Sequence, residues 1–466
     1  MSSTEEITKY EPFSNKKMIV FALQATILNT FWALRNWIQI YAAKALNIPI
    51  LLVLMIFGIY VIWDAINDPL TGHLLDRSSR FTSKYGKRFP FIIIGIFGAL
   101  LTLILLYLPV SSDPLVAVFW ILFVIILYDA FQTIYELSIS GLIVDRFRDQ
   151  KQRVKFSTFS HIIAGIGSLL LAIFIPLLIE LYGGVSNARA YFFMSLTIII
   201  VLLIIAIPQI LSTREPKEMI ELRTRLNAEG KSFSPAKEMI IRAFKDRNWM
   251  GVIIGYVVWV IGIGCVTVGL SFYIVDALGL PISMVALPSL LFLLVSFAVV
   301  PIWMKLTKKL GSKKTYFYAL LLTAVTTASF IFATNYTIVL IIAALGGIGH
   351  GGQGVVLNVI FSEAIDNATL TSGIREESSY HGILRFFAAT GIFWQILIFT
   401  VVQTITGYDP ALGTNNSEFA KLGLNLQMSL IPAVLMVISA LIFFKMYTVT
   451  KEMAIENKQK LIDLDL

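Results

Sequence analysis

Apolar runs long enough to cross a bilayer alternate with short polar stretches along the whole chain. Taken as runs of roughly 20 residues, they predict twelve helical spans. These lie near 18–43, 48–70, 90–110, 115–143, 157–182, 190–212, 249–275, 281–304, 315–333, 337–362, 379–406 and 421–446. The polar stretches between them fall into two kinds. Those after spans 2, 4 and 8, and the connector after span 6, are crowded with Lys and Arg, whereas the loops on the other side carry almost none.

An even number of spans puts both termini on one side, and the basic loops mark that side as cytoplasmic. Arg77, Arg80, Lys84, Lys87 and Arg88 follow span 2. Arg146, Arg148, Lys151, Arg153 and Lys155 follow span 4, and Lys305, Lys308, Lys309, Lys313 and Lys314 follow span 8. Of the 37 Lys and Arg, only Lys44, Arg189 and Lys421 fall in outside loops, with Arg35 and Arg385 inside spans. The expected topology is N-in, C-in.

The chain also repeats itself. Tyr85-Gly86-Lys87-Arg88-Phe89 after span 2 is echoed by Leu310-Gly311-Ser312-Lys313-Lys314 after span 8, a separation of 225 residues from Gly86 to Gly311. Asp145 to Arg153 after span 4 is echoed by Asp366 to Arg375 after span 10. Two six-span halves in the same orientation are expected, the parallel repeat of the major facilitator architecture, with a binding site near the midplane between them. The divisions are a cytoplasmic N-terminus (1–17), a first half (18–212), a linker (213–248), a second half (249–446) and a cytoplasmic tail (447–466). The fold class is thus an all-α membrane protein of twelve transmembrane helices.

Composition narrows the function classes. Hydrophobic residues are 57% of the chain, charged residues 14% and mean hydropathy is +0.79, too apolar for a polar-surfaced soluble globule. The net charge of +8 is explained by loop orientation, so no nucleic-acid partner is expected. Cys265 is the only cysteine, which leaves no disulfide framework. Residues 1–17 lack the apolar core of a cleavable signal, and Met1-Ser2-Ser3 lacks the myristoylation pattern. His73, His161, His350 and His381 are scattered without ligand spacing, and no nucleophile–base motif occurs. An enzyme and a resident cofactor are not expected. Gly349-His350-Gly351-Gly352-Gln353-Gly354 fits G-x-G-x-x-G but sits inside a span with no strand before it, so its glycines are read as thinning helix 10 for close packing or gating.

Against this apolar background, a few ionisable residues within spans stand out, and such residues are functional candidates by default. Trp63-Asp64-Ala65-Ile66-Asn67-Asp68-Pro69 closes span 2, with Asp64 and Asp68 on one helix face and Asn67 beside Asp68. On span 4, Asp129 and Glu136 are two turns apart, with Thr133 one turn before Glu136. Carboxylate, amide and hydroxyl oxygens suit a hard cation such as Na+. A close carboxylate pair can instead hold a proton, because like charges raise one pKa. The competing structural explanation is an ion-paired packing cluster with Arg35 or Arg385, which is disfavoured because buried pairs stabilise weakly. Trp32, Trp37, Tyr128, Tyr135, Tyr256, Trp259 and Trp394 could stack on a sugar ring, but at helical spacing most are read as packing or lipid-facing residues.

The run WDAINDP followed by Gly72 and Asp76-Arg77 resembles the helix II signature of the glycoside–pentoside–hexuronide:cation symporter family. Ser362-Glu363-Ala364-Ile365-Asp366 through Gly373-Ile374-Arg375-Glu376-Glu377-Ser378 resembles that family's helix X–XI run. The resemblance implies a cation site of Asp64, Asn67, Asp68 and Thr133, with Na+ or H+ as the coupling ion. It also implies a solute site at Glu136, with Asp129, Asn29 and Arg385 as further substrate-side candidates. Gly72, Asp76, Arg77, Asp366 and Arg375 are assigned to gating. Three positions depart from the family: Asn29 stands nearest the helix I acid, Ala389 replaces a helix XI lysine with Arg385 one turn earlier, and Gly354 replaces a helix X tryptophan. Arg385 is read either as a counter-ion, as a ligand for an anionic solute, or as a shallow residue, and Arg35 as snorkelling. The expected activity is cation-coupled symport of a sugar or glycoside by alternating access, by a cell-membrane protein acting as a monomer among lipids. The alternatives are a cation-coupled lysolipid or amphiphile carrier and a non-transporting sensor with a transporter fold.

Overall fold

The computed structural model describes residues 14–77, 86–147, 150–216, 220, 244–372 and 377–463. Among them every regular element is helical. Eleven helices are long and apolar enough to span a membrane, and a bent pair raises this to twelve. We number the spans α1 Asn15–Ala45, α2 Ile50–Arg77, α3 Phe89–Leu106, α4 Pro114–Arg146, α5 Gln150–Leu181 and α6 Ala188–Ser212. Then follow α7 Arg247–Ala277, α8 Ile282–Ala298 with Val300–Leu310, α9 Ser312–Phe332, α10 Tyr336–Ser372, α11 Glu377–Ala389 with Gly391–Thr406 and α12 Glu418–Met446. A last helix, α13, covers Lys451–Asp463.

The twelve predicted spans coincide with these helices, with instructive differences at their ends. α10 has 37 residues, about 55 Å at 1.5 Å per residue, well beyond the roughly 30 Å of hydrocarbon. Its polar end, with Glu363 and Asp366, therefore continues the helix past the apolar run. α8 bends by 45° between its two segments. Pro301 sits in the first turn of the second segment, where its missing N–H and ring interrupt the hydrogen-bond ladder. Helix starts follow local chemistry: Asp113 accepts from Leu115 N and Val116 N ahead of Pro114, and Asn187 accepts from Arg189 N.

The chain divides into two compact units. One comprises Met1–Ile48 and Ile62–Ser232, the other Pro49–Val61 and Phe233–Leu466, so the first turns of α2 group with the second unit. In the first unit α3 lies directly on α4. A Cβ at Gly95 would stand 2.5 Å from Tyr135 N, an approach that only glycine allows. The glycines of the G-x-G-x-x-G run do comparable work in the second unit. A Cβ at Gly351 would meet Ser296 O of α8 at 2.4 Å, and one at Gly349 would meet Thr323 Oγ1 of α9 at 2.3 Å. Close helix packing accounts for these two.

Both units repeat the same local devices. Gly86 (φ +91°) opens α3 and Gly311 (φ +82°) opens α9. The buried Glu215 accepts from Arg88 N at 2.6 Å and Phe89 N at 3.2 Å. At the corresponding place Glu363 accepts from Ser312 Oγ and from Tyr447 OH, the latter at 3.0 Å. A longer repeat escaped the sequence reading. Tyr41-Ala42-Ala43-Lys44-Ala45-Leu46-Asn47-Ile48-Pro49-Ile50 matches Tyr273-Ile274-Val275-Asp276-Ala277-Leu278-Gly279-Leu280-Pro281-Ile282, 232 residues on. Each copy ends its helix in a π turn, Tyr41–Ala45 or Tyr273–Ala277, followed by a left-handed residue, Asn47 or Gly279. Lys44, assigned from sequence to an outside loop, is instead 5% exposed in that last turn, and Asp276 is 1% exposed.

The outward helix faces carry large apolar side chains, among them Leu51, Ile62, Phe119, Leu181 and Ile204. On a soluble protein these would be a liability, but facing acyl chains they cost nothing.

Candidate functional site

The later turns of α2 and the middle of α4 meet in a polar cluster within the first unit. Asn67 is 2% exposed and Asp129 3% exposed. Asn67 Nδ2 donates to Asp129 Oδ2 at 2.9 Å and to Thr133 Oγ1 at 3.1 Å. Thr133 Oγ1 in turn donates to Asp68 Oδ1 at 3.0 Å. Thr71 Oγ1 donates to Asn67 Oδ1 at 2.9 Å. Helical spacing builds the cluster from both sides: Asn67 and Thr71 lie four apart on α2, Asp129 and Thr133 four apart on α4. The orientation of the Asn67 amide follows from this network, because its two N–H groups face a carboxylate and a hydroxyl while its oxygen faces a donor.

Asp68 is exposed beside the buried pair, and Asp64 is half-buried one turn earlier on α2. Glu136, half-buried, lies on α4 one turn beyond Thr133. Asp64, Asp129 and Glu136 all hold further interactions. Carboxylates at 68 and 129 flanking an amide and two hydroxyls form an oxygen-rich set of the kind a hard cation or a proton can occupy. Among the described residues no three His, Cys, Asp or Glu gather as a metal site, so the cluster mixes neutral with charged oxygens.

A family model described as MFS/sugar transport protein matches residues 21–451. The chain belongs to this family. It is 22% identical over 401 residues to the uncharacterized symporter YnaJ of Bacillus subtilis (strain 168), covering 85% of this chain and 83% of that protein. It is also 22% identical over 412 residues to the lactose permease of Lactobacillus delbrueckii subsp. bulgaricus, covering 84% of this chain and 62% of that protein. Among solved structures, an inward-facing, occupied bacterial homolog of the human lysosomal transporter Spinster superposes with a TM-score of 0.64 at 13% identity, covering 94% of this chain and 97% of that one. A D-xylose-proton symporter gives 0.63 at 15% identity over 93% and 98%. These structures establish the major facilitator fold, and the relatives make the chain a membrane transporter rather than an enzyme.

Within that fold the remaining predicted residues are distributed as follows. Asp129, expected on the substrate side, is hydrogen-bonded to Asn67. Asn29 of α1 donates to Ala164 O at 3.1 Å and Ser168 Oγ at 2.9 Å on α5, which ties both its N–H groups to another helix. A Cβ at Gly72 would meet Leu137 of α4 at 3.8 Å, an ordinary contact, so packing there does not require glycine. Asp366 is half-buried on α10, one turn from Glu363, and engaged. Asp76 and Arg77 close α2 and Arg385 lies on α11, but their side chains fall outside the described set, and Arg375 is outside the described residues altogether. Arg35, read as snorkelling, is instead 6% exposed, its guanidinium 4.0 Å from the Trp32 ring centroid. Tyr128 and Tyr135 are packing residues, edge-on to Phe31. Thr71 was missed, although its four-residue spacing from Asn67 was available to find it.

Proposed function

We propose that this member of the MFS/sugar transport family is a cation-coupled symporter that carries a sugar-type solute by alternating access. The observation that carries the reading is the continuous network Thr71–Asn67–Asp129 and Asn67–Thr133–Asp68. The N–H and O–H groups of Asn67 and Thr133 offset the acids when no cation is present, and the same oxygens can turn to a cation when one arrives. Asp64, Asn67, Asp68 and Thr133 are the cation ligands, Na+ being the first choice and H+ the second, and Asp129 fixes the Asn67 amide. Glu136 is the solute acid, since a carboxylate can accept from two neighbouring sugar hydroxyls. The lactose permease, the D-xylose-proton symporter and the symporter YnaJ support this class of cargo and coupling by kinship and fold. Cation and solute then raise each other's affinity by the same factor. Arg385 is the counter-ion candidate on α11. The basic loops orient both termini to the cytoplasm of the cell membrane, and the monomer is the working unit.

The deciding experiment is uptake and counterflow in proteoliposomes with Asp68→Asn. Na+ stimulation should disappear while the protein still inserts and melts normally. Undiminished stimulation would remove Asp68 from the cation site. A thermal-shift series of glycosides, pentosides and uronates with and without Na+ identifies the solute, because a ligand stabilises the folded state according to its occupancy.

A further inference from the structure

Three helices of the second unit, α7, α9 and α12, bring cations together at one corner. A Cβ at Gly251 of α7 would stand 2.9 Å from Met446 Cβ of α12, and Asn248 Oδ1 accepts from Thr448 N at 2.6 Å. This close crossing sets Arg247, in the first turn of α7, beside the last turn of α12, where its Nη2 donates to Lys445 O at 2.9 Å. α9 packs on the same turn. Tyr316 meets Phe443 edge-on at 4.9 Å, and Phe317 meets Phe444 at 4.7 Å. Lys313, one turn before Phe317, lies with Nζ 4.7 Å from the Phe444 ring centroid.

Two features separate this corner from an ordinary basic loop. The first is crowded, unbalanced charge. Lys313 and Arg247 are close enough to repel each other, and Arg247, Lys313 and Lys445 form no ion pair among the described residues. The neighbouring acids are engaged elsewhere. Asp246 caps α7, Glu363 accepts from Ser312 and Tyr447, and Glu452 lies by Lys314 and Lys451. Like charges held together are unfavourable until an anion joins them. The second feature is the surface beside the charges. Val434, Ile438, Leu441 and Lys445 follow one exposed row of α12 in steps of four, three and four residues. An apolar ladder thus leads straight to a cation, and the exposed Phe444 ring widens it.

We infer that this corner binds an acidic glycerophospholipid, with its phosphate held by Arg247, Lys313 and Lys445 and an acyl chain laid along Leu441, Ile438 and Val434. A guanidinium can bond two phosphate oxygens at once, and the two ammonium groups add point charges. Basic clusters at the ends of membrane helices recognise anionic headgroups on this principle. A zwitterionic lipid brings its own ammonium group next to the phosphate, which would add a fourth cation to the three. The ladder selects a lipid over a soluble phosphate, because only the lipid covers apolar surface. The site is independent of the proposed solute and coupling ion.

The test titrates the purified full-length protein in a neutral detergent with dioleoyl phosphatidylglycerol, dioleoyl phosphatidylcholine and glycerol phosphate, reading bound ligand by native mass spectrometry. Phosphatidylglycerol should bind at least about tenfold tighter than phosphatidylcholine, and glycerol phosphate should not displace it. Arg247→Gln combined with Lys313→Gln should weaken phosphatidylglycerol binding by about fivefold for each charge removed, with phosphatidylcholine unaffected. Lys313→Gln alone should show one such step, which keeps the test decisive if the double variant fails to fold. Lys305, Lys308 and Lys309 are exposed on α8, and replacing all three with Gln should leave phosphatidylglycerol binding unchanged. Equal affinity for the two lipids overturns the site. An equal loss in the α8 variant also overturns it, since the attraction would then be diffuse. Displacement by glycerol phosphate at matching concentration would make the ligand a soluble phosphate and overturn the lipid.

Discussion

The hydroxyl of Thr133 donates to Asp68 Oδ1 at 3.0 Å and so joins α4 to α2. The same oxygen accepts from Asn67 Nδ2, so this one α4 atom is shared by Asn67 and Asp68 of α2. Thr133→Val keeps the shape and removes both bonds. Na+ affinity, read as the half-saturating concentration for uptake, should weaken about tenfold, the worth of one lost hydrogen bond near a charged group. Thr133→Ser should recover most of it. An unchanged half-saturating concentration in Thr133→Val would place the hydroxyl outside cation binding.

Glu136 stands one turn beyond Thr133 on the same helix. Glu136→Gln should weaken solute binding by about 1.5–3 kcal/mol, the loss of a charged hydrogen bond, with a much smaller effect on Na+. Collapse of Na+ binding with solute affinity intact would move Glu136 into the cation site.

The position of α4 depends on its contact with α3. A side chain at Gly95 would meet the α4 backbone at Tyr135 N, so relief requires a helix shift rather than a rotamer change. Gly95→Leu should cost at least about 1–3 kcal/mol and lower the melting temperature in detergent. The solute and Na+ responses should fall with it, because the face carrying Asp129, Thr133 and Glu136 moves. Ile94→Leu, at an exposed neighbour, is the control that should melt normally.

Asp246 caps α7, accepting from Asn248 N at 2.8 Å and Trp249 N at 3.1 Å. Burial raises its pKa above the ordinary 3.8, outweighing the lowering by those two bonds. The folded protein therefore holds this proton more tightly than the unfolded chain. Its contribution to stability is fully present below 3.8 and is lost as pH rises through the raised folded value. Asp246→Asn retains a capping oxygen and should flatten that part of the pH–melting profile while leaving stability at neutral pH equal or higher. A steeper acid slope in the variant would contradict the sign.

Much of the architecture was legible because hydropathy period and helix length are written locally. The spans, the bundle class and the family followed from apolar runs and from the helix II motif. The α8 bend was not read from the sequence, although Pro301 lies within the predicted span 281–304. What failed to show was burial. Arg35 and Lys44 sit in apolar flanks that fit equally well a side chain reaching for water and one enclosed by other helices, and only the tertiary fold distinguishes them. Asp129 illustrates the same gap: its spacing put it on the α4 face, while its partner Asn67 is 62 residues away in sequence.

The shared ending of α1 and α7 has a consequence for engineering. The two copies keep tyrosine, proline and the left-handed turn, yet at one position they carry opposite buried charges, Lys44 and Asp276. A chimera joining two first halves would enclose two ammonium groups, and one joining two second halves would enclose two carboxylates. Each half would then bring its own buried charge twice, and buried charges are costly to enclose in a medium that tolerates them poorly. The halves descend to the same backbone but are no longer spare parts for each other.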